Sequence, residues 1–128
     1  MKLGALKANE SAWIAVQHPT VEDCGIRIKV LHRSAPETQA LLRAIQKKRF
    51  DAYQRSGRVK MLPEDLEAEG VELLVAATKA WTGLESENGE SLPCTADNAR
   101  ALYSDPGCAW LRKQVDEAMG ETALFFEK

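Results

Sequence analysis

Apolar and polar positions alternate most regularly over Ile26-Arg27-Ile28-Lys29-Val30-Leu31-His32. Ile26, Ile28 and Val30 fall on one side and Arg27 and Lys29 on the other, the period-two pattern of a strand with one wet face. A shorter aromatic and β-branched run, Ala12-Trp13-Ile14-Ala15-Val16, precedes it and ends at Gln17-His18-Pro19-Thr20, where Pro19 would interrupt a ladder. The two runs predict an antiparallel β-hairpin over residues 11–32. A lone hairpin is marginal in water, so its apolar face must lie on helices or on another chain.

From Ser34 onward the pattern changes to helical spacing. Ser34-Ala35-Pro36-Glu37 is a helix start, with Ser34 able to cap the first turn, Glu37 able to reach back and Pro36 tolerated there. Leu41, Leu42, Ile45, Ala52 and Tyr53 make one stripe to about Arg55, and Gly57 suits the stop. A second start follows at Leu62-Pro63-Glu64-Asp65, with its acids favoured by the helix dipole. Gly70, Leu73, Leu74, Ala77, Ala80, Trp81 and Leu84 continue at helical spacing, so this helix is expected to run through Trp81 and stop at Gly83. Glu85–Ser91 reads as a turn that is tightest at Asn88-Gly89. Thr95-Ala96-Asp97-Asn98 opens a short helix that buries Ala99, Leu102 and Tyr103. Ser104-Asp105-Pro106 ends it and caps a last helix with Leu111, Val115, Ala118, Met119 and Thr122 on one stripe and Trp110 beside it. Residues 1–10 have weak patterning. The expected fold is α+β and mostly α-helical: one domain over 1–128, with an N-terminal hairpin at 11–32 followed by about four helices in a helical region at 34–126.

Composition narrows the partners. Lys and Arg total 17 against 19 Asp and Glu, a net charge of -2, which gives no general attraction to nucleic acid or to an anionic membrane. Apolar runs are only a few residues long, so none is a membrane span, and the first residues lack the apolar core of a secretory signal. The expected compartment is the cytoplasm. Cys24, Cys94 and Cys108 form no C-x-x-C pair and read as small apolar fillers.

Candidate chemistry fails on spacing. His18, Cys24 and His32 near the hairpin and Cys94 and Cys108 near the last helices contain no closely spaced ligand pairs, so no metal is expected. If Gly89 held the sixth position of a calcium loop, Leu84 and Thr95 would hold the first and twelfth, and neither supplies a carboxylate. His18 and His32 sit near no recognisable nucleophile motif. No catalytic residue and no cofactor is assigned, and the chain is expected to be non-enzymatic. Two surfaces remain. Arg43, Lys47, Lys48, Arg49 and Arg55, with Arg58 and Lys60 beyond them, give the first helix a basic face, which supports an alternative reading as a small helical nucleic-acid-binding regulator. That face could equally attract the acidic Glu64–Glu72 segment between subunits. Trp81, Trp110, Phe125 and Phe126 are the candidate protein-interaction residues, because aromatic side chains dominate binding hot spots. Burial statistics favour a core position for the two tryptophans.

Ala76-Ala77-Thr78-Lys79-Ala80-Trp81-Thr82-Gly83, then Asn88-Gly89, Leu92-Pro93-Cys94-Thr95-Ala96-Asp97-Asn98-Ala99, and Ser104-Asp105-Pro106 before Trp110-Leu111, resemble the tail assembly chaperones of long-tailed phages. The similarity covers roughly residues 62–126 and fits the N-terminal hairpin and first helix more loosely. It implies a phage or prophage protein of the host cytoplasm that binds and solubilises the tape measure protein and helps recruit tail tube subunits. The resemblance also implies self-association. Phe125, Phe126 and parts of the second helix are then expected to contact a client or another subunit.

Overall fold

The computed structural model describes residues 1–56 and 63–126. Residues 11–32 form the expected hairpin: β1 (Ser11–Ala15) pairs antiparallel with β2 (Arg27–Leu31), Ser11 opposite Leu31 and Ala15 opposite Arg27. On the apolar face Ile28 and Val30 are fully buried, with Val16 beside them, while Arg27 and Ala15 on the other face are exposed. The helices cover that apolar face. They are α1 (Pro36–Ser56), α2 (Pro63–Ala77), α3 (Ala96–Ser104) and α4 (Ala109–Met119). The architecture is the α+β, mostly helical one that the patterning predicts. Gly57, Arg58, Lys60 and Leu62 lie outside the described residues.

One element departs from the sequence reading. The second helix does not run through Trp81; it stops at Ala77, and Thr78–Thr82 is a strand, β3, paired antiparallel with β2. The sheet order is β1-β2-β3. The helical region expected at 34–126 therefore contains the sheet's third strand. Neither proline nor glycine ends α2. Instead the Thr78 hydroxyl donates to the Leu74 carbonyl at 2.8 Å, taking one of the acceptors that a helix leaves open at its C-terminal end. Arg27, Ile28 and Lys29 stand opposite Thr82, Trp81 and Ala80, then the register shifts and Val30 stands opposite Thr78. Lys79 is the extra residue of a β-bulge, and it changes the phase of the strand. Thr78 and Trp81, three positions apart, would face opposite ways in a regular strand but here both face the core. Gly83 ends the strand at φ +83°, and a Cβ there would meet the Gly25 carbonyl oxygen at 2.1 Å, so only glycine fits this crossing.

The later helices follow their signals closely. Thr95 accepts from the Asn98 N–H at 3.1 Å as the N-cap of α3, and Ala99 and Tyr103 are buried. Asp105 accepts from the Gly107 N–H at 2.9 Å in a 3-10 turn, Pro106–Cys108, that leads into α4. Leu111, Val115, Ala118 and Met119 are buried as the stripe predicts. Thr122 is exposed, because α4 ends at Met119 and Thr122–Phe126 winds as a 3-10 turn. In the loop at 85–91, Glu85 bridges Ser91 and Gly89 takes φ +81°. Among the described residues no helix is long and apolar enough to cross a membrane.

The first helix holds the other departure. Its stripe does not reach the core: Leu41, Leu42 and Ile45 are half-buried, and Ala52 and Tyr53 are exposed. Of its described side chains only Thr38 is buried, its hydroxyl donating to the His32 carbonyl at 2.9 Å. Beyond Ile45 no described side chain of α1 is buried, and α2 is the helix that α1 packs against.

Candidate protein-interaction surfaces

The four aromatic residues singled out in the sequence do not form one surface. Trp81 lies in the core beside Ile28, and its indole N–H donates to the Leu92 carbonyl at 2.8 Å. Trp110 is half-buried and meets the His18 ring edge-on, with centroids 5.0 Å apart. Phe125 is fully buried against the His32 ring at 4.5 Å, and its carbonyl accepts the Asn9 N–H at 2.7 Å, which ties the end of the described chain to the strand side of the fold. Phe126 alone is well exposed, at 45%. A charge placed at Phe125 would therefore unfold this turn before it informed about contacts.

The exposed apolar side chains lie elsewhere. Phe50 and Tyr53 in α1 and Leu66 in α2 are about half exposed, and they sit on the halves of the two helices nearest their connection. Trp13 in β1 and Leu3 and Leu6 in the preceding 3-10 turn are exposed as well. The patterning of α1 did place Tyr53 on an apolar stripe; Phe50 and Trp13 carried no separate signal, since exposure depends on which neighbours the fold supplies.

Charge on the helices is largely satisfied within the chain. Glu69 of α2 accepts from both Nε–H and Nη2–H of Arg49 of α1, Glu72 holds Arg100 of α3 at 2.5 and 3.0 Å, and Glu67 meets Arg112 of α4 at 3.3 Å. Hydrogen bonding to Arg100 holds the Glu72 carboxyl below its ordinary range. The acidic segment is thus engaged by arginines of three other helices, as an internal counterpart to the basic ones. Arg43, Lys47, Lys48 and Arg55 remain exposed on α1, and Lys47, Lys48 and Arg55 border an open hollow of about 360 Å³ with Asp51 and Ala52.

The groups with reactive potential make contacts within the fold. The His18 Nδ1 accepts the N–H groups of Thr20 and Val21 at 3.1 Å each, so the imidazole organises the β1–β2 loop. Cys24 donates to the Val16 carbonyl at 3.2 Å. Burial pushes the Cys94 and Cys108 thiols up, away from the thiolate that nucleophilic chemistry needs. Among the described residues no group of three or more His, Cys, Asp or Glu side chains could hold a metal ion. The chain matches no family model, no curated protein and no solved structure.

Proposed function

We propose that this protein is a tail assembly chaperone of a long-tailed phage or prophage, acting without catalysis by holding apolar helical segments of the tape measure protein and helping to bring tail tube subunits to it. The sequence resemblance across residues 62–126 suggests this role. The observation that carries it into the structure is the α1–α2 pair, which leaves Phe50, Tyr53 and Leu66 in water on helix faces that the core does not use. A long helical client would aggregate through its own apolar stripes, and helix faces of this kind can cover them. The working residues are accordingly Phe50, Tyr53, Leu66 and Phe126 rather than the buried Trp81 and Phe125. Co-expression with the tape measure protein of the same phage tests this. Phe50→Glu with Tyr53→Glu leaves a folded chain, by circular dichroism, that recovers at least about tenfold less soluble client, a loss of roughly 1.4 kcal/mol in binding. Undiminished recovery by the folded variant would sink the proposal.

The basic face of α1 supports the second reading, a nucleic-acid-binding regulator, through exposed Arg43 and through Lys47, Lys48 and Arg55 around the open hollow. It requires DNA binding that weakens steeply with salt and is lost in Lys47→Glu with Lys48→Glu. The chaperone reading requires that these substitutions spare client recovery.

A further inference from the structure

The two edges of the sheet are built differently. At the β3 edge the bulge carries a lysine, Lys79, and bulges and lysines are devices that keep an exposed edge from pairing with another chain. The β1 edge has neither: Ser11-Ala12-Trp13-Ile14-Ala15 carries no charge and no proline, and it pairs with β2 in unbroken register. Its hydrogen-bond phase follows from the flanking bonds. His32 N–H donates to the Glu10 carbonyl at 2.7 Å and Val16 N–H to the Ile26 carbonyl at 2.9 Å. Even-numbered residues therefore face β2, and the backbone N–H and C=O of Ser11, Trp13 and Ala15 point outward.

The chain closes this outer edge at both ends and not in the middle. The Phe125 carbonyl takes the Asn9 N–H at 2.7 Å. The Gln114 side-chain amide takes the Gln17 N–H at 2.9 Å and donates to the Gln17 carbonyl at 2.7 Å. Between these two closures the outward groups of Ser11, Trp13 and Ala15 have no hydrogen-bond partner among the described residues. Trp13 stands at the centre of the window, 46% exposed as a residue, on the face away from the helices.

We propose that this window pairs with the same window of a second copy, antiparallel about a two-fold axis at Trp13, so that the two three-stranded sheets become one. Ser11 then stands opposite the partner subunit's Ala15, and Trp13 opposite the partner subunit's Trp13, each pair exchanging both of its N–H···O bonds. A second copy fits the window because the window is symmetric about Trp13, is limited by its closures to the length of β1, and is uncharged, so self-pairing sets no like charges together. The two indoles meet as a cross-strand aromatic pair. Five residues a side bury well under the roughly 800 Å² per partner of a standard interface, so the dimer is weak and dependent on concentration. A two-fold contact through the one unguarded edge closes on itself, and assembly through it stops at the dimer. The inference stands on the backbone of β1 and does not rest on the proposed function.

Sedimentation velocity on the full chain, from about 10 μM to 1 mM, reads the dimer directly, a range suited to an interface this small. The dimer fraction rises with concentration, and Trp13→Lys, with unchanged circular dichroism, raises the dissociation constant by at least about tenfold, because it sets two lysines together at the axis. Register is read by cross-linking with oxidised glutathione. Hydrogen-bonded antiparallel partners lie about 5.5 Å apart, within disulfide reach. Trp13→Cys therefore cross-links to itself above the wild-type background. Ser11→Cys does so only when mixed with Ala15→Cys. A wild-type chain that stays monomeric overturns the second copy as occupant and leaves the edge to an extended segment of another protein. A dimer that survives Trp13→Lys, or cross-links that ignore this register, overturns the edge as the interface.

Discussion

The Thr78 hydroxyl is a buried polar group with two partners. Its one proton goes to the Leu74 carbonyl, so the Tyr103 hydroxyl, 2.6 Å away, must donate to the Thr78 oxygen. Three residues from α2, β3 and α3 are joined in this way inside the core, with Tyr103 1% exposed. Burial pushes the Tyr103 pKa from 10.0 up to about 12, against the hydrogen bond with Thr78, which lowers it, and with the charge of Cys94 adding to the rise. A group whose pKa is raised on folding contributes stability that is whole below its unfolded pKa and is lost as pH rises through the folded one. The protein should therefore hold its stability up to about pH 10 and lose it by about pH 12. Two pH units at about 1.4 kcal/mol each put the loss near 3 kcal/mol. Thermal unfolding at half-unit steps between pH 9 and 12 measures it. Tyr103→Phe should cost about 1 kcal/mol at neutral pH, the net worth of a typical hydrogen bond, and flatten that alkaline loss relative to wild type. An equally steep loss in Tyr103→Phe would remove this tyrosine as its source.

At the scale of elements, the strands of the hairpin, the Thr95 cap and the α4 stripe were legible because each shows its own period or capping residue. β3 was not, and the bulge explains why. By setting Lys79 aside, the bulge places Thr78 and Trp81 on one face three residues apart, and a spacing of three or four is what a helix shows too. Leu74, Ala77 and Trp81 then read as one helical stripe, although the chain changes from helix to strand between Ala77 and Thr78. The β-formers Thr78, Trp81 and Thr82 held the opposing signal, and pairing with β2 decided between them. The aromatic candidates divide for a related reason, since Phe125 and Phe126 are adjacent and identical in type, and only the 3-10 turn decides which is buried. If the bulge sets the phase, deleting Lys79 turns Thr78 out of the core and breaks the Leu74–Thr78–Tyr103 chain. That deletion should cost at least about 3 kcal/mol, as expected for a broken buried network. Lys79→Ala, which loses only the half-exposed contact with Glu37, should stay within about 1 kcal/mol. Chemical denaturation of the two variants compares these costs, and equal costs would mean that the bulge does not hold the phase.

Over the whole molecule, order is unevenly distributed. The buried apolar side chains belong to β2, β3, the second half of α2, α3, α4 and the 3-10 turn around Phe125, with Val16 and Ala35 between elements, all within one cluster. α2 is the element that ties the helices together, through Arg49, Arg100 and Arg112 on its acids, yet each of these pairs is partly exposed and screened by water, so it contributes little. The Glu72 pair follows the carboxylate rule: its contribution is present above the ordinary carboxylate range and is lost as pH falls through the lowered value. Burial adds little at the end of the α1–α2 pair. Among residues 46–55 of α1 and 63–68 of α2 no side chain is buried, and Phe50, Tyr53 and Leu66 are among them. Segments with few buried apolar contacts open at low free energy, so their amides should exchange within the fastest class of helical amides in the protein. Those of Ile28, Val30 and Val115, whose side chains are fully buried, should exchange only on global unfolding. Adding the client should slow exchange at residues 46–55 and 63–68 by at least about tenfold while leaving β2 unchanged, because binding there removes the open state. Exchange that slows uniformly, or only in β1, would place the client away from these helices. Hydrogen exchange on the monomer, below the concentration at which β1 pairs, keeps the two surfaces separate in the measurement.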